Sequence, residues 1–195
     1  FSGGIAASGG TLSNLNALIA ARNNAGLGSD PNSVLLISED AHSSFIKCIR
    51  IMGLDAANLV RIKTDNQGRM DINNLRKSLN KCLIENKKIF AIVATLGTTV
   101  RGAIDPIKEI SEICKERNIW LHIDGSIGGI FALSSIQIEG LNNINQANSI
   151  TINPQKIIGI TKTSSLLLVA NMNTLQNTFS TGLPYISSKE DIVNR

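Results

Sequence analysis

Residues 89–124 read IFAIVATLGTTVRGAIDPIKEISEICKERNIWLHID. Two short apolar runs rich in β-branched residues, 89–95 and 119–123, bracket a stretch in which Ile107, Ile110, Ile113 and Cys114 recur at spacings of three and four. Such spacing places apolar side chains on one face of a helix, whereas the flanking runs have strand length. Two strands joined by a covering helix form a βαβ unit, and that connection makes the strands parallel. Both runs are continuous rather than alternating, as strands buried on both faces should be.

The same rhythm extends in both directions. Apolar runs recur at 34–37, 59–62, 149–152 and 166–169, and helical spacing recurs at 12–25, 44–52 and 72–85. The expectation is an α/β fold: a mostly parallel sheet of six strands covered by helices on both faces. Asp71 and Asp105 precede helical patterns and read as N-caps, the latter with Pro106 at the first helical position. The Asn-rich segment 137–147 reads as a surface loop. Residues 171–195 hold a short helical pattern and then a break at Gly182 and Pro184. We therefore divide the chain into one domain over 1–170 and, from 171 to 195, the start of a connection to a further region.

Composition excludes several classes. With 195 residues, 43% of them apolar and 17% charged, the chain has enough buryable surface for one core and is not a disordered segment. The net charge of +4 is spread along the sequence, which argues against a nucleic-acid groove. No apolar run approaches the ~20 residues needed to span a bilayer, so no membrane partner is expected. Cys48, Cys82 and Cys114 are an odd number and lie in no metal spacing, so no metal is expected and a reducing cytoplasm fits best. Phe1 and the polar stretch ending at Arg195 suggest a piece of something longer.

In open α/β sheets, ligands bind at the carboxyl ends of strands, so polar residues just past each apolar run are the candidates. Ser8-Gly9-Gly10-Thr11, followed by a helix containing Asn14, reads either as a phosphate cradle at a helix N-terminus or as a Gly-rich turn with Thr11 as N-cap. It has neither the Walker nor the dinucleotide glycine spacing. In Trp120-Leu121-His122-Ile123-Asp124, a period of two puts Trp120, His122 and Asp124 on one face and leaves a carboxylate at the strand tip. Asp124 reads either as the partner of a cation or as a turn residue. Lys156, in Asn153-Pro154-Gln155-Lys156, follows a buried strand; desolvation there would lower its pKa and free its amine for imine formation. Lys162 competes on composition alone. His42 follows another strand tip and could stack on a planar ligand, and Thr98-Thr99 offers hydroxyls at the same edge.

Together these groups match what pyridoxal phosphate requires: an amine, a carboxylate for the ring nitrogen, a stacking plane and phosphate donors. The sequence resembles the group II pyridoxal-phosphate-dependent amino acid decarboxylases, which include the aromatic amino acid, glutamate and diaminobutyrate enzymes. Five motifs carry the likeness in order: Ser8-Gly9-Gly10-Thr11 with Asn14, Ala41-His42-Ser43-Ser44, Gly97-Thr98-Thr99 with Gly102 and Asp105-Pro106, Trp120 to Asp124, and Asn153 to Lys156.

The resemblance implies part of an aspartate-aminotransferase-like large domain with a mostly parallel, seven-stranded sheet, in an enzyme usually homodimeric. It implies decarboxylation of an L-amino acid to the amine and carbon dioxide, with Lys156 rather than Lys162 attached to the cofactor. Asp124 would pair with the ring nitrogen and His42 would stack on the ring. Gly10, Thr11 and Asn153 would hold the phosphate, with Ser126 and Thr99 near the ring, and Ser149 and Gln155 counted among the cofactor-binding residues. Three positions depart from the family pattern: Gln155 where His is usual, Ser126 where Ala is common and Asn148 where Asp is usual. An aminotransferase, a carbon–sulfur lyase or an aldolase would use the same Lys and Asp, and Gln155 and the short chain leave a non-catalytic remnant or binding subunit as a further alternative; all of these stay open.

Overall fold

A computed structural model describes residues 1–135, 138, 140–162 and 164–180. Seven strands form one sheet: β1 (Gly3–Ala7), β2 (Ser33–Ser38), β3 (Leu59–Ile62), β4 (Lys88–Thr95), β5 (Trp120–Gly125), β6 (Ser149–Ile152) and β7 (Ser165–Val169). Their spatial order is β1-β7-β6-β5-β4-β2-β3. The five strands from β6 to β3 pair in parallel, while β7 is antiparallel to both β6 and β1. The helices are α1 (Gly10–Asn24), α2 (Ser44–Ile51), α3 (Ile72–Ile84), α4 (Ile107–Arg117), α5 (Pro154–Ile157) and α6 (Met172–Phe179).

Alternation along the strands divides the core between two faces. On one, Val34, Leu36, Ile92, Ala94, Leu121 and Ile123 pack against Leu75 and Leu79 of α3 and Ile107, Ile110 and Ile113 of α4. On the other, Leu35, Ile37, Ala91, Val93 and Trp120 meet Leu18 and Ala21 of α1 and Phe45 and Ile49 of α2. Beside them, Ala17 and Ala20 of α1 pack on Leu167 and Val169 of β7 and Leu175 of α6. The sheet is thus covered on both sides, as the continuous apolar runs require. Among the described residues, no helix is long and apolar enough to cross a membrane.

Several sequence expectations need correction. The strand β1 escaped detection because its Gly-Gly-Ile-Ala-Ala sequence has weak strand propensity and it pairs on one side only. Thr11 is not an N-cap: α1 starts earlier, after Gly9, with no side-chain cap. Asp71 caps α3, accepting from the Asn74 N–H at 2.7 Å. Asp105 does not cap α4, whose N-cap is Pro106. Its buried carboxylate instead accepts the backbone N–H groups of Met70 (2.6 Å) and Thr95 (2.7 Å), tying the end of β4 to the loop before α3. The expected loop over 137–147 includes a 3-10 helix at Leu141–Gln146, with residues 137 and 139 outside the described ones. The short helical pattern after Asn171 is α6, while Gly182 and Pro184 lie outside the described residues.

Candidate active site

Two antiparallel steps, from β6 to β7 and from β7 to β1, return β1 to the direction of β6. Therefore β1, β2, β4, β5 and β6 all finish at one edge of the sheet. Thr95, Asp124 and Thr151 are register partners across β4, β5 and β6 there. At this edge lies a cavity of about 550 Å³. It gathers Gly10, Thr11, His42, Thr99, Asp124, Ser126, Asn153, Gln155 and Lys156, residues scattered over most of the chain. Lys162 does not line it, so among the described residues the cavity's lysine is Lys156.

Each side of the cavity has a local cause. Because β1 ends at this edge, Ser8 and Gly9 deliver the N-terminus of the 15-residue α1 to the cavity. Leu12 and Ser13 N–H donate to the Gly9 carbonyl, but the Gly10 and Thr11 N–H groups have no carbonyl one turn earlier and no side-chain cap, which leaves two donors and the positive dipole end available to an anion. Gly10 is required by close approach: a Cβ there would stand 2.7 Å from Asn153 Nδ2 and 2.9 Å from Ser126 Oγ. Asn153 is buried and its Oδ1 has no hydrogen-bond partner in the structure.

Across the cavity, Asp124 is 5% exposed at the tip of β5. Its Oδ1 accepts the Ser126 N–H (3.1 Å) and its Oδ2 accepts from Asn14 Nδ2 (3.3 Å). The chain can leave β5 sharply because Gly128 donates to the Leu96 carbonyl at 2.9 Å, and a Cβ at Gly128 would lie 2.4 Å from that oxygen. The Thr98–Gly102 turn is held by Ala103 N–H donating to Thr98 Oγ1 (3.0 Å), which leaves Thr99 exposed at the cavity edge. His42 is exposed beside α2, and the Ser44 N–H donates to its Nδ1 at 3.1 Å, orienting the ring.

Two predicted features are placed differently. Lys156 is exposed on the short α5, so the desolvation inferred from its apolar neighbours is absent: Ile157 and Ile158 are themselves about half exposed. Ser149 does not line the cavity. It is fully buried at the start of β6, where its Oγ accepts from Trp120 Nε1 (2.8 Å) and bonds to His122 Nδ1 (2.8 Å).

Asn14 and Thr95 also line the cavity, although no role was assigned to them from sequence. The signal for Asn14 was its position three residues after Thr11, on the same face of the helix.

Residues 1–194 match the family model described as the pyridoxal-dependent decarboxylase conserved domain. The chain belongs to the pyridoxal-dependent decarboxylase family. It is 33% identical over 188 residues to an aromatic-L-amino-acid decarboxylase of Bacillus atrophaeus, covering 96% of this chain and 39% of that protein. It is 32% identical to an L-aspartate decarboxylase of Metarhizium robertsii, covering 98% of this chain and 40% of that protein. Among solved structures, mouse CSAD superposes with a TM-score of 0.87 at 28% identity, over 93% of this chain and 40% of that one. The chain thus spans about two fifths of the length of these relatives.

Within the family frame, two of the three departures have visible structural work. Gln155 Oε1 accepts the Ser164 N–H at 2.9 Å, tying α5 to the segment that enters β7 and leaving the amide NH2 as a donor. Asn148 Oδ1 accepts the Leu121 N–H at 2.8 Å, a bond for which a carboxylate oxygen would serve equally. Ser126 places its hydroxyl beside Gly10 and Asn153.

Proposed function

We propose that the protein containing this chain is a pyridoxal-phosphate-dependent carboxy-lyase that converts an L-amino acid to its amine and carbon dioxide. One observation carries the proposal: Lys156 and Asp124, from the ends of adjacent parallel strands, line one cavity with the N-terminus of α1. The residues present fit the cofactor. Gly10 leaves room that a Cβ would close, and beside it the buried Asn153 turns its amide Nδ2, a donor that an anionic phosphate can use, to within 2.7 Å of where that Cβ would stand. Gly10, Thr11 and Asn153 would hold the phosphate, with the Gln155 amide as a further donor. Bound there, pyridoxal phosphate supplies an electron sink for the pair left behind when carbon dioxide departs.

The chain's own groups divide the remaining work. Lys156 would provide the amine that attaches the cofactor and, on re-attaching, releases the amine product. Asp124, held by Ser126 and Asn14, presents its carboxylate to the ring nitrogen and favours the protonated form of that atom. His42, oriented through Ser44, would cover one face of the ring, with Ser126 and Thr99 beside it. The names of the relatives cover aromatic and acidic amino acids, and the group common to all such substrates is the α-carboxylate that leaves.

We further propose a homodimer, supported by the exposed apolar side chains Leu12, Ile51, Ile157 and Ile158 at or beside the cavity. Cytoplasmic residence is proposed on the three buried, free cysteines.

Borohydride reduction of the chain mixed with pyridoxal phosphate, followed by peptide mass spectrometry, tests the attachment. The adduct is expected on Lys156, lost in Lys156→Ala and kept in Lys162→Ala. With the whole protein, an L-amino acid should release carbon dioxide. A keto acid formed without carbon dioxide would assign the site to transamination instead.

A further inference from the structure

Behind Asn14 and Asp124 at the cavity wall runs a chain of buried side chains, Trp120, Ser149 and His122, to which the proposed mechanism gives no part. Trp120 Nε1 donates to Ser149 Oγ (2.8 Å), Ser149 Oγ meets His122 Nδ1 (2.8 Å), and His122 Nε2 meets Asn14 Oδ1 (3.1 Å). Asn14 Nδ2 then donates to Asp124 Oδ2 (3.3 Å). Ser149 and His122 are fully buried, and Asn14 is 1% exposed.

The carboxylate end determines the direction of the bonds as far as the imidazole. An indole N–H is a donor only, so Ser149 accepts from Trp120 and keeps its own hydrogen to donate to His122 Nδ1 when that nitrogen carries none. An ionised carboxylate only accepts, so Asn14 must turn its NH2 toward Asp124; flipping the amide would set two acceptors face to face. Asn14 Oδ1 then faces His122 and requires a hydrogen on Nε2. With the hydrogen on Nε2, the neutral imidazole leaves Nδ1 to accept from Ser149. Burial supports the neutral ring by pushing the His122 pKa down to about 4, outweighing the opposing influences of Asp124 and of the Ser149 backbone.

We propose that His122 is a positioning residue: held as the Nε2–H tautomer and backed by Ser149, it fixes the Asn14 amide, which aims the Asp124 carboxylate at the ring nitrogen of pyridoxal phosphate. The inference rests on the cofactor assignment made above. Ser149, which the resemblance counted with the cofactor contacts, acts here one layer further back. The layout parallels metal sites, where an outer hydrogen bond to an imidazole sets the tautomer and orientation of a ligand.

The first test needs no cofactor. Long-range 15N–1H spectra of the histidine-labelled chain, with His42→Gln to assign the two rings, should show His122 protonated on Nε2 alone at neutral pH. An Nδ1–H tautomer or an imidazolium would overturn the inference.

The second test adds pyridoxal phosphate labelled with 15N at its ring nitrogen. In the parent chain that nitrogen should be protonated. In Asn14→Leu the protonated fraction should fall and the dissociation constant should rise about tenfold, as expected for loss of a hydrogen bond to a charged group. Ser149→Ala, which removes one hydroxyl remote from the cavity, should shift the ring nitrogen in the same direction by less, and it decides the matter if Asn14→Leu does not fold. A parent chain that takes up no pyridoxal phosphate would remove the cofactor assignment itself. Uptake by the parent with an unchanged ring-nitrogen signal in folded variants would overturn the role of His122 alone.

Discussion

Buried charge and buried imidazole respond to pH in opposite ways in this molecule. His122 is pushed from 6.5 down to about 4, chiefly by burial. Between those values the unfolded chain binds a proton that the native chain refuses, so this contribution is complete above about 6.5 and is lost as the pH falls toward 4. Its size is on the order of 3 kcal/mol. Asp105 runs the other way. Burial raises its carboxyl from 3.8 to about 6 despite the two backbone N–H groups that hold it down. Its native form therefore keeps a proton between those values, and stability from it grows as the pH falls from about 6. The two effects separate in a difference measurement. Urea unfolding of the parent and of His122→Gln should show a stability gap that narrows by on the order of 3 kcal/mol from pH 7 to pH 4, because Gln does not titrate and Asp105 cancels. A gap independent of pH would show that the imidazole is not held neutral.

At the scale of elements, α1 has two duties. Its small residues Ala17 and Ala20 let it lie close on β7, and its N-terminus opens on the cavity. Ser13 Oγ adds a bond to Ser165 Oγ of β7 at 2.8 Å, within the first turn. Close packing and the free N–H groups share a few residues, so Gly10 is where a methyl group matters most. Gly10→Ala would drive a Cβ into Asn153 and Ser126, and the Asn153 amide would have to move. We expect pyridoxal phosphate affinity to drop at least about tenfold, with a stability change near ~1 kcal/mol, since the clash is with side chains and Ala is the better helix former. Fluorescence titration with the cofactor and a thermal melt measure the two effects separately. Full affinity in Gly10→Ala would place the phosphate elsewhere.

For the whole molecule, the cavity has a buried floor, with Asp124, Ser126 and Asn153, and an exposed rim, with His42, Thr99 and Lys156. Ile51 (65% exposed), Ile157 (49%) and Ile158 (52%) leave apolar surface beside that rim. If a second copy covers it, Ile158→Asp should shift sedimentation of the protein from dimer toward monomer, while the fold, read by circular dichroism, stays intact. An unchanged sedimentation coefficient would move the dimer contact away from this edge. The parallel core of the fold was legible in the sequence because continuous β-branched runs and three-and-four spacing are local consequences of burial. Motif residues could likewise be named one by one, since each follows a strand end. What the local pattern could not contain was β1, a glycine-rich edge strand without a hydrophobic signature, and with it the reversal that brings Ser8 and Gly9 to the same edge as Lys156. Nor could it show that Lys156 stands exposed, that Asp105 ties two loops instead of capping a helix, or that Ser149 supports His122 from behind. Chain-local chemistry determined which residues could act; long-range pairing decided which of them meet, because hydrogen-bond direction and burial depend on partners more than a hundred positions away, as with Asn14 and Asp124.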